Sequence, residues 1–226
     1  MVRLYLRLLA VNVQAQLQYP TSFVLDTLGA IGATLFEFII FAAAFGRFGS
    51  VGGWSLGEVA FLYGLTEVAF AAMDMVFSGY DPAAFSQLIF GSEFVLRRLG
   101  RIAQGAAVFA IGAGLAQIAW TPARLAYLPV VWLSAVAFYG GLFVIGATLC
   151  FWTVQPLEVV NIFTYGGTTM LSYPLHIYPD WIQRFFTFVV PGALVIYYPA
   201  LFFLGRADPL GLPAWVSFVA PLAGFG

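Results

Sequence analysis

The sequence predicts an all-α integral membrane protein, organised as one transmembrane domain over residues 1–226 with six membrane spans. Of its 226 residues, 62% are apolar and only 8% are charged, whereas about a quarter of the residues in a typical soluble domain are charged. Because a spanning helix needs about 20 apolar residues, a chain of this length holds about six spans with short loops. The net charge of −1 argues against a nucleic-acid partner.

The first twenty residues predict an amphipathic helix that lies in the membrane interface. Leu4, Leu8 and Val11 share one helical face, while Arg3 and Arg7 lie together on a neighbouring face. Polar residues interrupt the apolar run and no small-residue cleavage site follows it, so the segment resembles a secretory signal peptide only superficially. An apolar face beside a basic one is typical of a helix anchored at the headgroups.

Hydropathy places five spans along the chain before an irregular region. Their expected ranges are 22–45, 56–77, 102–120, 125–152 and 156–171, and a glycine-rich turn at 46–53 separates the first two. Pro174 and Pro179 then interrupt the chain, because proline breaks a helix. The apolar stretch 182–204 is either a span or a re-entrant pair of half helices. A last apolar segment begins near Pro213, and it is too short to span the membrane unless the polypeptide continues past Gly226.

The arginines predict the orientation of the bundle. A cytoplasmic N-terminus places Arg3, Arg7, Arg97, Arg98 and Arg101 on the cytoplasmic side and leaves Arg47 and Arg124 outside. This distribution follows the positive-inside rule for the first four spans. The amphipathic stretch 78–101 is then a cytoplasmic loop between the second and third spans.

Three predicted spans carry polar side chains at helical spacing. The second span presents Tyr63, Glu67, Phe70 and Asp74 on one face, the fifth presents Glu158, Asn161, Tyr165, Thr169 and Ser172, and the first carries Asp26 and Glu37. An ionised carboxylate that faces lipid is costly, so these faces need protein or water opposite them. Two interpretations stay open, namely structural partners inside the bundle or the lining of a translocation path.

No arrangement of residues indicates an enzyme or a metal site. The chain contains no lysine, and a Walker A loop needs one to reach the phosphates, so another subunit must bind ATP if ATP drives this protein. His176 is the only histidine, and Cys150 is the only cysteine and cannot form an internal disulfide. We therefore expect no catalytic residue, cofactor or metal on this chain.

The C-terminal third carries the most specific pattern of aromatic residues and prolines. Its members are Phe151-Trp152, Tyr173-Pro174-Leu175, Ile177-Tyr178-Pro179, Val190-Pro191, Tyr198-Pro199-Ala200 and Leu204-Gly205. With this pattern the chain resembles a permease subunit of the ABC-2 family of ATP-binding-cassette transporters, in particular a small permease branch that accompanies drug-resistance-type ATPases. The resemblance implies a six-span ABC-2 type permease whose residues 172–206 form an external, re-entrant region. The sixth span then begins near Pro213.

The same resemblance implies partners and a location. Two such permeases, identical or related, form a dimer in the bacterial cytoplasmic (inner) membrane, and separate ATPase subunits hold ATP and Mg. The second and fifth spans line the interface between the permeases. A helix in the coupling region 78–101 contacts the ATPase, with Phe85, Leu88, Glu93, Phe94, Arg97 and Arg98 as the expected coupling residues. The arginines have a second interpretation, because they also anchor the third span to anionic headgroups.

The sequence therefore predicts the permease subunit of an ATP-driven exporter, which carries out efflux of an amphiphilic, lipid-like or drug-like cargo. The alternative is a proton- or ion-coupled secondary transporter with Asp26, Glu37, Glu67 and Asp74 as a relay. A membrane-embedded lipid enzyme fits poorly, because acid, base and metal clusters are missing from the sequence pattern. Copurification of an ATPase with a Walker A lysine would distinguish the first hypothesis from the others.

Overall fold

The computed structural model describes residues 2–50, 52–80, 96–149 and 160–225, and the elements within these ranges are helices. The α-helices are α1 (Val2–Leu17), α2 (Pro20–Phe48), α3 (Leu56–Phe77), α4 (Leu99–Leu115), α5 (Pro122–Leu149), α6 (Gly167–Leu171), α7 (Asp180–Arg184), α8 (Gly192–Val195), α9 (Tyr197–Leu204) and α10 (Ala214–Val219). In these ranges three helices, α2, α3 and α5, are long and apolar enough to cross a membrane, or four segments if a bent pair counts as one. The chain is thus a multi-pass membrane protein, and six spans stay a prediction.

The first two helices agree with the sequence in type but not in every boundary. α1 confirms a helix near the N-terminus, while its position at the membrane interface stays a prediction. α2 begins at Pro20 and continues to Phe48, and Gly49 then takes a positive φ of 73° that ends it. The prediction that the turn starts at Gly46 was wrong, because one glycine costs a helix only about 1 kcal/mol and cannot end a long apolar one.

Helix α3 begins and ends at the residues that hydropathy predicted, and it lies at the centre of the bundle. Its N-terminus has a capping box, in which the Ser55 hydroxyl accepts from the Glu58 N–H and the Glu58 carboxylate accepts from the Ser55 N–H. Most of its residues are buried, whereas most of the apolar surface of α2 is exposed. The core of the molecule therefore forms around α3, against α4, α5 and α9.

Helices α3 and α4 pack closely through glycines at heptad spacing. These glycines are Gly57 and Gly64 on α3 and Gly105 and Gly112 on α4. A Cβ atom added to Gly112 would lie 2.3 Å from the Phe61 nitrogen, and one added to Gly64 would lie 2.4 Å from the Phe109 nitrogen. Small residues let helix backbones approach each other within a membrane. The glycines thus fix the antiparallel register of the two helices.

The turn between α4 and α5 begins earlier than the sequence predicted. The N–H of Ala116 bonds to the carbonyl groups of Gly112 and Gly114, and Gln117 has a φ of 52° that a continuing helix cannot accommodate. The third span was therefore predicted too long at its C-terminal end. Along α5, the Tyr127 hydroxyl donates to the Ser217 carbonyl over 2.9 Å, which holds α10 beside the first turns of α5.

The C-terminal third consists of short helices, as its prolines predicted. A π-helical turn at Ile162–Gly166 precedes α6, and a 3₁₀ turn at Leu175–Ile177 follows it. The segments Asp180–Val189 and Gly192–Leu204 then form a pair bent by 74°, with Pro191 at the break. This apolar stretch is not one straight helix, so the two alternatives left by the sequence are a broken span and a re-entrant pair.

Candidate functional site

A polar cavity lies between α3, α4 and the segment from Tyr165 to Tyr173. It holds about 380 Å³ of empty space, part of which is open to its surroundings. Its lining residues are Tyr63, Glu67, Phe70, Arg101, Tyr165, Thr168, Thr169, Ser172 and Tyr173. An apolar bundle that keeps charged and hydroxyl groups around a space is the usual setting of a ligand site.

The central feature of the cavity is an ion pair between Glu67 and Arg101. The Arg101 Nε donates to one carboxylate oxygen over 2.7 Å, and Nη2 donates to the other over 3.0 Å. Two parallel bonds of this kind make the strong, planar form of an arginine–carboxylate contact. Glu67 lies about 16 Å along the axis of α3, near its midpoint. The pair therefore lies deep within the span, where a lone carboxylate would be costly.

Aromatic rings form the second wall of the cavity. The Arg101 guanidinium carbon lies 5.6 Å from the centre of the Phe70 ring, within the range of a cation–π contact. The Phe70 ring in turn makes T-shaped contacts with the rings of Tyr139 and Tyr165 at centroid distances of 5.4 and 5.3 Å. The guanidinium is thus held by a carboxylate and an aromatic face together.

Hydroxyl groups form the third wall, on the segment that contains the π-helical turn. Thr168 donates to the Thr164 carbonyl over 2.7 Å, Thr169 to the Tyr165 carbonyl over 3.0 Å, and Ser172 to the Thr168 carbonyl over 2.9 Å. A hydroxyl has one hydrogen to donate. With that hydrogen bound to the helix backbone, each oxygen can only accept a hydrogen bond from a ligand.

A second ion pair links α3 to the turn before α4. Arg98 Nε lies 2.8 Å from a carboxylate oxygen of Asp74, whose side chain is 1% exposed. Asp74 is buried below the cavity and is not among its described lining residues. The two pairs follow the antiparallel order of the helices, since Glu67 precedes Asp74 while Arg101 follows Arg98.

The structure brings together part of the predicted translocation path. Six residues of the predicted polar faces line the cavity, namely Tyr63, Glu67, Phe70, Tyr165, Thr169 and Ser172. Asn161 is half-buried and is not among the described lining residues. Asp26, predicted to share a face with Glu37, is exposed on α2. Glu158 lies outside the described residues.

The predicted coupling residues fall mostly outside the described part of the chain. Phe85, Leu88, Glu93 and Phe94 lie in the range 81–95, and Arg97 is described only by its backbone, in the 3₁₀ turn Leu96–Arg98. Sequence reasoning missed three residues that line the cavity, Arg101, Thr168 and Tyr173, and it interpreted Arg101 as topogenic. Its position one helical turn after Arg97, opposite two carboxylates of the preceding span, was the available signal.

A separate polar cluster lies at the other end of α3. Arg206 bonds to both carboxylate oxygens of Glu58, over 2.5 and 2.9 Å, and to the Gly53 carbonyl over 2.7 Å. Its guanidinium also lies 5.1 Å from the Trp54 ring centre. His176 Nε2 lies 2.6 Å from the carbonyl oxygen of Gly52. The turns before α7 and after α9 therefore both contact the N-terminal end of α3.

A comparison with known protein families gives a match. A family model described as "ABC-2 family transporter protein" matches residues 81–225, nearly two thirds of the chain. The matched range contains Arg101 and the hydroxyl wall of the cavity, whereas Glu67 precedes it. No curated protein and no solved structure matched the chain.

Proposed function

Since the chain belongs to the ABC-2 family of transporter membrane proteins, we propose that it is the permease subunit of an ATP-driven exporter. Members of this family are generally permeases without catalytic activity of their own, and membership implies an ATPase partner in general. In this proposal the ATPase holds ATP and Mg and a second permease, identical or related, completes a dimer. The exporter carries out efflux across the bacterial inner membrane.

The observation that carries the proposal is the cavity around Glu67 and Arg101. Intramembrane charges are expensive and are typical of substrate or ion paths. Here a bidentate ion pair, aromatic rings and hydroxyl groups surround one space near the middle of α3. Such a cavity suits an amphiphilic cargo, because apolar and polar parts of one molecule would both find partners in it.

Contacts at the N-terminal end of α3 support a six-span arrangement. His176 and Arg206 flank the bent helix pair, and they contact Gly52 and Gly53 in the same turn. A segment that starts and finishes at one end of the bundle re-enters rather than crosses, which favours the external, re-entrant region. With α2 to α5 and the segment before Ser172 as five spans, the last span begins with α10. The N-terminus is then cytoplasmic and the cluster around Arg206 external.

The alternative of a proton- or ion-coupled transporter has less support. Two of its four relay carboxylates, Glu67 and Asp74, each lie in an ion pair with an arginine. The proposal therefore predicts transport that needs ATP and an ATPase partner and that continues after the proton gradient is collapsed. Transport that stops with the gradient and ignores ATP would favour the alternative.

The direct experiment is to purify the chain with and without its partner. The chain alone should neither bind nor hydrolyse ATP, because it has no lysine for a phosphate loop. An ATPase with a Walker A lysine should copurify with the membrane-extracted complex and restore ATP turnover. Turnover by the highly purified chain, free of any companion subunit, would contradict the proposal.

A further inference from the structure

We infer that the cavity binds a lipophilic cation, whose charged group takes the place of the Arg101 guanidinium at the Glu67 carboxylate. The inference rests on the proposed transport function and names the class of cargo for that same cavity. Three features of the cavity support it: its hydrogen-bond acceptors, its aromatic faces and the unequal exposure of the two members of the ion pair.

The hydroxyl groups of Thr169 and Ser172 and the Glu67 carboxylate accept hydrogen bonds from a ligand rather than donate them. Thr169 and Ser172 each commit their hydrogen to a backbone carbonyl of their own helix, and the ionised Glu67 carboxylate only accepts. A ligand that enters the cavity therefore meets oxygen lone pairs on two walls. Oxygen lone pairs attract a cationic group electrostatically, with or without an N–H, whereas an anionic group would face acceptors on both walls.

The aromatic faces favour the same charge. Four of the lining residues carry aromatic rings, namely Tyr63, Phe70, Tyr165 and Tyr173. The faces of such rings attract cations, and the Arg101 guanidinium already lies 5.6 Å from the Phe70 centroid. Arg101 thus occupies the position over the Phe70 ring that a ligand cation would take. We regard it as a tethered cation that the cargo displaces.

Exposure indicates which member of the pair leaves. The Arg101 side chain is 20% exposed and that of Glu67 is 6% exposed. Glu67 lies in the middle of the buried helix α3, whereas Arg101 is a long side chain in the first turn of α4. Replacing one cation by another leaves the more deeply buried member of the pair, the carboxylate, with a cationic partner. An anionic cargo would instead have to expel the buried member.

The displacement of Arg101 also links cargo binding to the cytoplasmic coupling region. Arg101 follows the 3₁₀ turn Leu96–Arg98, which continues directly from residues 81–95. Cargo binding at Glu67 frees the Arg101 side chain from α3 and loosens one of the two ion pairs that hold this segment. The second pair, Asp74 with Arg98, stays in place.

The experiment compares three probes of similar shape and different charge on the purified, full-length chain in detergent. The probes are benzyltrimethylammonium, the neutral neopentylbenzene and the anionic benzylsulfonate. We expect the cation to bind about tenfold or more tightly than the neutral probe and the anion to bind least. Arg101→Gln should tighten binding of the cation several-fold, because it removes the tethered competitor. Glu67→Gln should weaken it about tenfold or more.

Glu58→Gln is the matched control. Glu58 lies on the same helix and makes the same bidentate contact with an arginine, Arg206, away from the cavity. Its substitution should leave the affinity for the cation unchanged. If Glu67→Gln does not fold, the three probes and Arg101→Gln still decide the question.

Tightest binding of benzylsulfonate, with loss of that binding in Arg101→Gln, would make the cavity an anion site and overturn the inference. Equal binding of all three probes would make it only an apolar pocket and would overturn the inference as well. These measurements need no ATPase, so a failure here leaves the proposed ATP-driven transport standing. That proposal fails only in the ATP experiments described above.

Discussion

The stability of the protein should depend on Gly112, where α4 packs closely against the backbone of α3. In Gly112→Ala, the new Cβ atom would lie 2.3 Å from the Phe61 nitrogen and 2.6 Å from the Ala60 carbonyl carbon. These are backbone atoms of α3, so no side chain can turn aside to make room. Since non-bonded atoms pack at about 3.5 Å, the two helices would have to move apart by about 1 Å.

The loss of stability comes from the contacts between α3 and α4 that this movement would open. A gap of up to about 1 Å forfeits as much as half of the dispersion energy of each contact that it opens. The Phe61 and Phe109 rings, 4.9 Å apart at their centroids, lie across the same interface and would lose contact. Overpacking costs about 1–3 kcal/mol, and we expect the upper end of that range for the free energy of unfolding.

The assay is thermal unfolding of the purified protein in one detergent, with Gly114→Ala as the control. Gly114 lies on the same helix, two residues after Gly112, and a Cβ atom there would have nothing within 4 Å. Alanine is the better helix former by about 1 kcal/mol, so the control should keep or slightly raise the midpoint. Equal shifts in both variants would refute the reasoning, because the effect would then not come from the close approach.

Three further predictions follow from the fold and the proposed function. Phe94→Pro in the coupling region should abolish coupled transport while membrane insertion stays intact, which a transport assay with a surface-expression control checks; normal transport would remove this segment from the ATPase contact. Arg206→Met should lower the free energy of unfolding by about 1–2 kcal/mol, because it removes the ion pair at the start of α3; an unchanged midpoint would show that the pair contributes nothing. In a Cys150→Ala background, Thr169→Cys should react with an aqueous thiol reagent, whereas Leu65→Cys should not, because Leu65 is 0% exposed. Equal labelling of the two cysteines would show that Thr169 does not line a cavity open to water.

The long helices could be predicted from the sequence because their signals are local. The Ser55 cap marks the start of α3, and the end of the apolar run that follows it marks the end of the helix. Both signals lie in the helix itself or directly beside it. The end of α4 depends instead on the left-handed conformation of Gln117, a residue with no glycine-like tendency toward that region. Helical spacing carries no signal for such an ending.

The cavity could be predicted only in part. Spacing on one helix placed Tyr63, Glu67 and Phe70 on a common face, and in the structure these three residues line the same cavity. The role of Arg101 depends on the register between α3 and α4, which spacing within a single helix cannot give. The heptad glycines of the two helices held that information, because the backbone of one helix approaches the other closely where the other has a glycine.

The π-helical turn at Ile162–Gly166 gives the hydroxyl wall a freedom that an ordinary helix lacks. A π turn contains one residue more than an α turn, and each residue of an α-helix advances the direction of its side chain by about 100°. If this turn took α geometry, the segment after it would rotate about its own helix axis relative to α3. Each later residue would then take the former direction of the residue after it, so Thr168 would take the place of Thr169 and Leu171 that of Ser172. A rotation of this kind would put an apolar side chain, Leu171, in the place of one hydroxyl group of the wall, and it would need no change in either ion pair.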